Sequence, residues 1–209
     1  MGKIKKGILG GFSGRVGNVI GGSWKGIDYM RSEATSIADP KTAKQLEQRS
    51  KFRVAVEFAK NCVPLINIGL KQYATKRSEF NYLVSRICKD WWDDANDNID
   101  YSLVQLSAGE LPQPTNVSLT IITEQDFSVL RVNYDPITDA SLDVNFCALA
   151  YDVQANEYSY VVFPSSFDPA EGEFGWNFPK SFTEHSCFVY LFFVDRNTGN
   201  CSNTYISEV

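Results

Sequence analysis

The sequence predicts an α+β protein: a glycine-rich β-hairpin at the N-terminus, about three helices after it, and a C-terminal antiparallel β-sandwich. Three observations support this fold class. Eight of the 14 glycines lie within residues 7–26, apolar residues recur at helical spacing from about residue 41, and the hydrophobic period is two beyond residue 114. The 209-residue chain is 44% hydrophobic and 13% aromatic, so it has enough apolar side chains for a packed core.

The glycine-rich segment carries valine, isoleucine, tryptophan and tyrosine among its glycines, as in VGNVIGGSWKGIDYM. We expect a strand at about residues 17–20, a turn near Gly21 and Gly22, and a second strand at about residues 24–31. Glycine inside a strand indicates a bulge or the close approach of another backbone. Because a two-stranded hairpin is marginally stable in water, residues 1–38 should pack against the following helices or another subunit.

The glycine pattern matches no phosphate-binding motif. The Lys-Ser/Thr ending of a P-loop is missing, and GRVG supplies only the later half of a dinucleotide fingerprint. An ordered arm packed closely on a neighbouring surface and a mobile tail remain, and the aromatic residues favour the ordered arm. The residues expected to make this interaction are Gly10, Gly11, Phe12, Gly14, Val16, Gly17, Val19, Ile20, Gly21, Gly22, Trp24 and Tyr29.

The helical region is expected at residues 39–100, packed with the hairpin. Asp39 is a good N-cap with Pro40 at the first helical position, and Thr42 with Gln45 offers an alternative capping box. The first helix is predicted at about residues 41–62. Its apolar residues at helical spacing are Ala43, Leu46, Phe52, Val56, Ala59 and Val63.

Two further helices are expected after Pro64, which breaks or restarts the first. They correspond to LINIGLKQYATK and SEFNYLVSRICKDWWDD. Residues 101–114 are expected to be a linker, with a short strand near residues 101–106 and prolines after it.

The β-sandwich is predicted at residues 115–209. Seven short stretches with a period of two lie between Asp, Asn, Gly and Pro turns, a number and spacing typical of immunoglobulin or fibronectin type III domains. The seven candidates are VSLTIIT, SVLRVNYD, DVNFCALAYD, EYSYVVFP, GEFGWNF, CFVYLFFVD and NTYISEV.

Charge is distributed unevenly along the chain. Residues 1–63 carry 12 basic and 5 acidic side chains, whereas residues 114–209 carry 3 basic and 13 acidic ones. This asymmetry indicates two units with different surroundings and favours head-to-tail attraction between copies. An outward-facing acidic sandwich fits the same pattern.

The five cysteines show no metal-binding or disulfide spacing. Their apolar contexts favour buried free thiols, and a bridge between Cys187 and Cys201 is the alternative. His185 is the single histidine, so it excludes histidine-rich zinc sets, and any hydrolase would depend on it alone. The sequence predicts no catalytic residue.

No metal or cofactor site is predicted either. Asp94, Asn96 and Asn98 imitate the first half of an EF-hand loop, but Ile99 stands at the glycine position and Gln105 at the bidentate glutamate position. An acidic helix end and loop is therefore expected there.

The sequence predicts no signal peptide and no transmembrane segment, because no apolar run is long enough. The expected location is therefore a virion or the bacterial cytoplasm. The expected partner is protein, in an oligomer or a larger assembly. Nucleic acid is not favoured, although Lys3, Lys5 and Lys6 form a basic arm that could reach phosphates.

The opening MGKIKKGILGGFSGRVGNVIGGSWKGIDYMRS, followed by DPKTAKQLEQRSKF, resembles an uncharacterised domain-of-unknown-function family of Bacteroides and related gut bacteria. That family has a Gly-rich opening before an Asn-Pro-Arg-Thr-type helix start, for which this chain has Asp39, Pro40, Lys41 and Thr42, with Gln45, Arg49 and Phe52 following. The resemblance covers about residues 1–60 and implies β-sandwich-like C-terminal halves but no established activity. A similar Pro-x-Thr-x-x-Gln opening in phage and prophage proteins implies a virion or particle component.

Together these observations favour a non-enzymatic structural or assembly protein. Its N-terminal part would dock on a scaffold or on sister copies. The alternative is a monomeric recognition module that binds carbohydrate, peptide or protein through sandwich loops or the aromatic residues Tyr158, Tyr160, Phe174 and Trp176.

Overall fold

The computed structural model describes residues 2–4, 11–34, 36, 39, 41–123, 128–137, 143–164, 167–179, 182 and 185–209. The chain divides into two compact units, an N-terminal unit (Met1–Leu46) and a main unit (Glu47–Val209). Helices and antiparallel sheets are both present, so the α+β class is confirmed.

The N-terminal unit contains a four-stranded antiparallel sheet rather than the expected two-stranded hairpin. Its strands follow one another in chain order, and they are β1 (Lys3–Ile4), β2 (Phe12–Val16), β3 (Val19–Trp24) and β4 (Ile27–Ser32). Every described residue from 12 to 32 lies in a strand or in one of two short turns.

The turn expected near Gly21 and Gly22 is wrong, because both glycines lie inside β3. The chain reverses instead at residues 17–18 and 25–26. Gly17 has a φ of 57°, and Lys25 and Gly26 have φ values of 47° and 79°. Two successive positive φ angles fit a type I′ hairpin turn, whose twist matches that of the flanking strands.

Three α-helices form in the regions where helical periodicity predicts them, as α1 (Ala43–Asn61), α2 (Val63–Gly69) and α3 (Glu79–Asp90). The second is shorter than expected, because α2 ends at Gly69 and Lys71–Tyr73 is a 3₁₀ turn. The capping box at the start of α1 is confirmed, since the Gln45 amide donates to Thr42 Oγ1 and the Thr42 amide to Gln45 Oε1, both at 3.4 Å. Thr42, rather than Asp39, is thus the N-cap. Ser78 caps α3 by accepting from the Asn81 amide at 3.2 Å.

After α3 the chain forms a small hairpin of β5 (Trp92–Asp93) and β6 (Asn98–Ile99). The short strand expected near residues 101–106 is wrong, because Tyr101–Leu103 is a 3₁₀ turn. Asp100 stabilises this turn by accepting from the Ser102 amide at 3.1 Å.

The segment expected to be a linker contains fully buried side chains. Val104 and Leu106 are both 0% exposed. Their period of two, which suggested a strand, reflects packing of irregular chain against the core rather than a hydrogen-bonded ladder.

All seven C-terminal strand candidates are confirmed as strands. They are β7 (Ser118–Thr123), β8 (Ser128–Asn133), β9 (Val144–Asp152), β10 (Glu157–Val162), β11 (Glu173–Phe178), β12 (Cys187–Asp195) and β13 (Tyr205–Glu208). They form two antiparallel sheets, with the orders β10-β9-β12-β13 and β11-β8-β7.

Two hydrophobic cores lie on opposite faces of the C-terminal four-stranded sheet, β10-β9-β12-β13. On one face, Leu149 and Tyr190 pack with helical residues such as Phe58. On the other face, Phe146 and Phe193 share a core with side chains of the three-stranded sheet. Strands β9 and β12 are therefore covered on both faces, which explains their nearly continuous apolar sequences.

Candidate interaction surface

The sheet of the N-terminal unit leaves large apolar side chains in solvent. Within residues 12–32, no hydrophobic side chain is buried. Six of them are between 39% and 71% exposed, namely Val16, Val19, Trp24, Ile27, Tyr29 and Met30. Four of these six are among the expected interaction residues, whereas Ile27 and Met30 were missed.

Strand register distributes these side chains over both faces of the sheet. Val16 pairs with Val19, and directly paired residues point to the same side. Alternation then places Met30, the partner of Gly21, on that face too. The opposite face carries Trp24 and its partner Ile27. Both faces therefore present apolar contact area.

On the face that bears Trp24, Gly22 pairs with Tyr29, and Ile20 pairs with both Arg15 and Arg31. Tyr29 adds aromatic area, and Arg15 and Arg31 add basic side chains, of which Arg15 is paired with Glu33. The Trp24 face thus combines aromatic rings with basic side chains.

Gly21 and Gly22 lie under aromatic rings of the same sheet. A Cβ at Gly22 would lie 2.9 Å from the Tyr29 ring, and one at Gly21 would collide with the Phe12 carbonyl oxygen and lie 2.9 Å from the Phe12 ring. Each ring thus covers the bare backbone of a neighbouring strand, as aromatic residues do beside glycines in sheets. The close approach expected at these glycines occurs inside the sheet itself. At Gly11, by contrast, no atom of the described residues comes within 4 Å of the place that a Cβ would take.

The remaining expected residues are placed as follows. Gly14 lies in β2 opposite Gly21, and Gly10 falls outside the described residues. Of the basic arm, Lys3 is exposed on β1, whereas Lys5 and Lys6 also fall outside the described residues.

An ion pair links β2 to Glu33, the residue that follows β4. Arg15 Nη2 lies 2.7 Å from Glu33 Oε2, and the Glu33 amide donates to Asn18 O at 2.7 Å.

The N-terminal unit carries eight basic and three acidic residues in its sequence, whereas the main unit carries 12 basic and 22 acidic ones. The apolar sheet thus belongs to the basic unit.

The aromatic residues named for a recognition module separate into two groups. Phe174 and Trp176 are buried in the core that the two C-terminal sheets share. Tyr158 and Tyr160 are exposed on β10, with ring centroids 6.3 Å apart and ring planes 12° apart. Only the tyrosine pair is accessible to a ligand.

A cleft on the main unit lies between residues 111–115 and 135–137. Its volume is about 190 Å³, and Val144 and Phe193 complete its lining. Pocket volumes for small molecules are about 300–1,000 Å³, so this cleft is the size of a single side chain.

His185 is half-buried beside a fully buried carboxylate. Its Nδ1 lies 2.9 Å from Asp152 Oδ2, and the Gln154 and Ala155 amides donate to Asp152 Oδ1 at 2.8 and 2.9 Å. Burial raises the pKa of Asp152, but hydrogen bonds from Ala155, His185 and Gln154 outweigh it, so the pKa is lower than usual.

Asp152→Asn is expected to lower the free energy of unfolding at pH 7. A carboxyl whose pKa is depressed in the folded state stabilises the fold above its unfolded pKa, about 3.9, and this contribution is lost as pH falls through the folded pKa. The difference between wild type and variant should therefore shrink below about pH 4. Urea denaturation from pH 7 to pH 2 measures it, with Glu208→Gln as an exposed control. A difference that is constant over this range would contradict the assignment.

All five cysteines are free, as expected, and the alternative bridge between Cys187 and Cys201 does not form. Cys187 Sγ lies 3.4 Å from Phe182 O, and Cys201 Sγ lies 3.7 Å from Ile68 O. Burial raises the pKa of the Cys147 and Cys187 thiols to about 12. Such thiols are protonated at neutral pH and are poor nucleophiles.

The acidic loop after α3 binds its own backbone. Asp93 Oδ1 accepts from the Ala95 amide at 2.8 Å, and Lys51 Nζ lies 3.7 Å from Asp94 Oδ1. In the part of the chain that the structure describes, no three His, Cys, Asp or Glu residues are grouped as metal ligands would be. No described helix is both long enough and apolar enough to span a membrane.

No curated protein matches the chain significantly. Among solved structures, superoxide reductase from Nanoarchaeum equitans is similar to part of it, at 9% identity and a TM-score of 0.31, over 49% of this chain and 98% of that one. A likeness this weak carries no conclusion about function. A family model described as a family of unknown function (DUF6266) matches residues 11–207. The match covers nearly the whole 209-residue chain, and the chain belongs to this family.

Proposed function

We propose that the protein is a non-enzymatic assembly component of a virion or other particle. Its N-terminal sheet docks on a scaffold or on sister copies, and its acidic C-terminal strands face outward. The observation that carries this proposal is the group of six exposed apolar side chains on one small sheet. Three of the six lie on each face of the sheet, and large apolar side chains grouped on an exposed surface mark interaction sites.

The energetic argument concerns the cost of leaving these side chains in water. Fully burying one exposed large apolar side chain contributes about 1.5–3 kcal/mol, so covering one that is about half exposed contributes about half as much. Covering even three of the six therefore supplies a substantial part of the free energy of association. A two-faced apolar sheet is suited to insertion between surfaces of an assembly.

The outward-facing part is proposed to be an immunoglobulin-like sandwich. Labelled A, B, C, C′, E, F and G in chain order, the seven C-terminal strands give the sheets E-B-A and C′-C-F-G. This division of strands is typical of immunoglobulin-like domains. The shared core of Phe146, Phe193, Leu130 and Phe174 supports packing of the two sheets face to face.

The particle location rests on the helix opening. The Pro-x-Thr-x-x-Gln pattern at residues 40–45 resembles helix openings in phage and prophage proteins, and the glycine-rich opening resembles proteins of Bacteroides and related gut bacteria. A phage or prophage of such a bacterium is therefore the proposed source of the particle.

Met30→Glu tests the docking surface, because Met30 is the most exposed of the six side chains, at 71%. The carboxylate must be desolvated on docking, so we expect association to weaken at least tenfold, which corresponds to about 1.4 kcal/mol. Sedimentation of the full-length protein over a concentration series, alone and with purified particles, measures this.

Leu103→Glu is the matched control for Met30→Glu. Leu103 is also a large exposed side chain, at 48%, but it lies in the main unit. Equal weakening by both variants, or a wild type that neither self-associates nor binds particles, would contradict the proposal.

A second candidate function is a recognition module, favoured by the exposed pair Tyr158 and Tyr160. Parallel aromatic rings on a sheet offer contact area to a sugar or peptide. Binding of the full-length protein to a glycan or peptide array that is abolished by Tyr158→Ala and retained by Met30→Glu would favour this function.

A further inference from the structure

The cleft of the main unit has the properties of a preformed receptor for one apolar side chain. Three prolines, Pro112, Pro114 and Pro136, contribute to its walls, and Leu111 and Ile137 add aliphatic surface. Proline has a fixed φ and loses little side-chain freedom on burial. The walls thus lose little conformational entropy when a guest binds.

Hydrogen bonds hold the two walls of this cleft in place. The Asp135 amide donates to Thr115 O at 3.0 Å, and Thr115 Oγ1 donates to Asp135 Oδ2 at 2.6 Å. The Ile137 amide donates to Pro169 O at 2.9 Å, and the Leu111 amide donates to Cys201 O at 3.1 Å. A cleft whose walls are fixed before binding does not spend binding free energy on ordering them.

Trp24 is the best-suited guest among the exposed side chains of the N-terminal sheet. It ends β3 at a two-residue turn, is 53% exposed, and is paired across the turn with Ile27, which is 57% exposed. A side chain beside a tight turn can enter a recess that the flat middle of a sheet cannot. Tryptophan is also enriched among the residues that dominate binding energies.

Charge favours the main unit of another copy as the surface that receives Trp24. The N-terminal unit has a net charge of +5, from eight basic and three acidic residues, and the main unit has −10, from 12 basic and 22 acidic ones. Arg31 shares the face of Trp24. Asp135 lines the cleft, and the exposed Glu110 and Asp143 adjoin its lining residues in sequence. Two identical sheets stacked on this face would instead bring basic side chains together.

We propose that Trp24 of one copy inserts into the cleft of a second copy, in a head-to-tail contact. This inference rests on the proposed docking function and names both the anchor and its receptor. A head-to-tail contact uses different surfaces on the two copies, so it builds rings or filaments rather than closed two-fold dimers.

Mixing two full-length variants tests the contact. Trp24→Ala lacks the anchor but keeps the cleft, and Ile137→Asp keeps the anchor but carries a charge in the cleft. Each should self-associate at least tenfold more weakly than wild type in analytical ultracentrifugation. A mixture of the two retains one intact pair, so it should form a 1:1 dimer that does not grow further.

Pro112→Arg is the second cleft variant, in case Ile137→Asp impairs folding. Pro112 is exposed, and a positive charge there should repel the basic guest. Leu103→Ala is the control for loss of an exposed apolar side chain of the main unit and should associate like wild type.

The outcomes separate the two proposals. If Trp24→Ala and Met30→Glu lose association while both cleft variants keep it, the sheet docks elsewhere, so the inference fails and the docking function stands. If all single variants are monomeric and the mixture is monomeric too, the head-to-tail pairing is wrong. If the wild type itself never self-associates, the contact between copies is also wrong, and docking on a particle is decided by cosedimentation.

Discussion

Phe58→Ala is expected to lower the free energy of unfolding by about 3–5 kcal/mol, the usual cost of truncating a fully buried phenylalanine. Phe58 lies on α1 and is 1% exposed. It packs between the helices and the C-terminal four-stranded sheet that contains β9 and β12. Its ring makes edge-on contacts with Tyr101, Tyr151 and Tyr190, with centroids 5.4, 5.0 and 6.3 Å away. Truncation leaves a cavity among three rings that cannot collapse without moving the sheet or the 3₁₀ turn.

Phe52→Ala is the matched control, since it makes the same change on the same helix. Phe52 is 55% exposed, and a surface substitution of this kind changes stability by about 0.5 kcal/mol or less. Urea denaturation of both variants, followed by circular dichroism, measures the difference. Comparable losses at the two positions would show that α1 does not face the sheet as described.

The contrast between these two phenylalanines also shows what periodicity can predict about α1. The sequence predicts the helix and its capping box correctly. Of the apolar residues chosen from the sequence, Ala59 is buried, but Leu46 and Phe52 are about half-exposed. Ala55 and Phe58, which were not chosen, are buried. Apolar residues lie on more than one side of this helix, so spacing alone does not identify the side that meets the core.

The C-terminal strands were predictable because local signals agree there. Asp, Asn, Gly and Pro residues separate stretches of period two, and each stretch forms a strand. The packing of helices on the face of the sheet that carries Leu149 and Tyr190 depends on contacts between residues far apart in sequence. No local pattern encodes such contacts.

The N-terminal sheet was the least predictable element. Paired glycines between apolar runs are a recognised hairpin signal, and Gly21 and Gly22 therefore suggested a turn. In the structure these glycines lie inside a strand at close approaches, because a Cβ at Gly21 would collide with the Phe12 carbonyl oxygen and a Cβ at Gly22 would lie 2.9 Å from the Tyr29 ring. The actual type I′ turn at Lys25 and Gly26 has lysine in place of the usual Asn or Asp. The two residues that flank this turn, Trp24 and Ile27, are exposed. The sequence pattern did not predict a turn between them.

Thr204 holds the irregular segment before β7 against the C-terminal end of the chain. Its Oγ1 accepts from the Leu106 and Ser107 amides at 2.9 and 2.8 Å, at a sequence separation of almost 100 residues. Both lone pairs of the oxygen are thereby used, so its proton can bond Ser107 Oγ, 2.9 Å away. All three residues are at most 3% exposed, so water cannot replace these bonds.

Thr204→Val is therefore expected to cost about 2–6 kcal/mol, because it keeps the shape of the side chain but leaves two buried amides without an acceptor, at about 1–3 kcal/mol each. Thr204→Ser is the matched control: it keeps the oxygen and should cost about 1 kcal/mol for the lost methyl group. Urea denaturation measures both losses, and hydrogen exchange at the Leu106 and Ser107 amides should accelerate in the valine variant alone. If serine and valine were equally destabilising, packing of the methyl group rather than hydrogen bonding would hold this segment, and the assignment of Thr204 as its acceptor would be wrong.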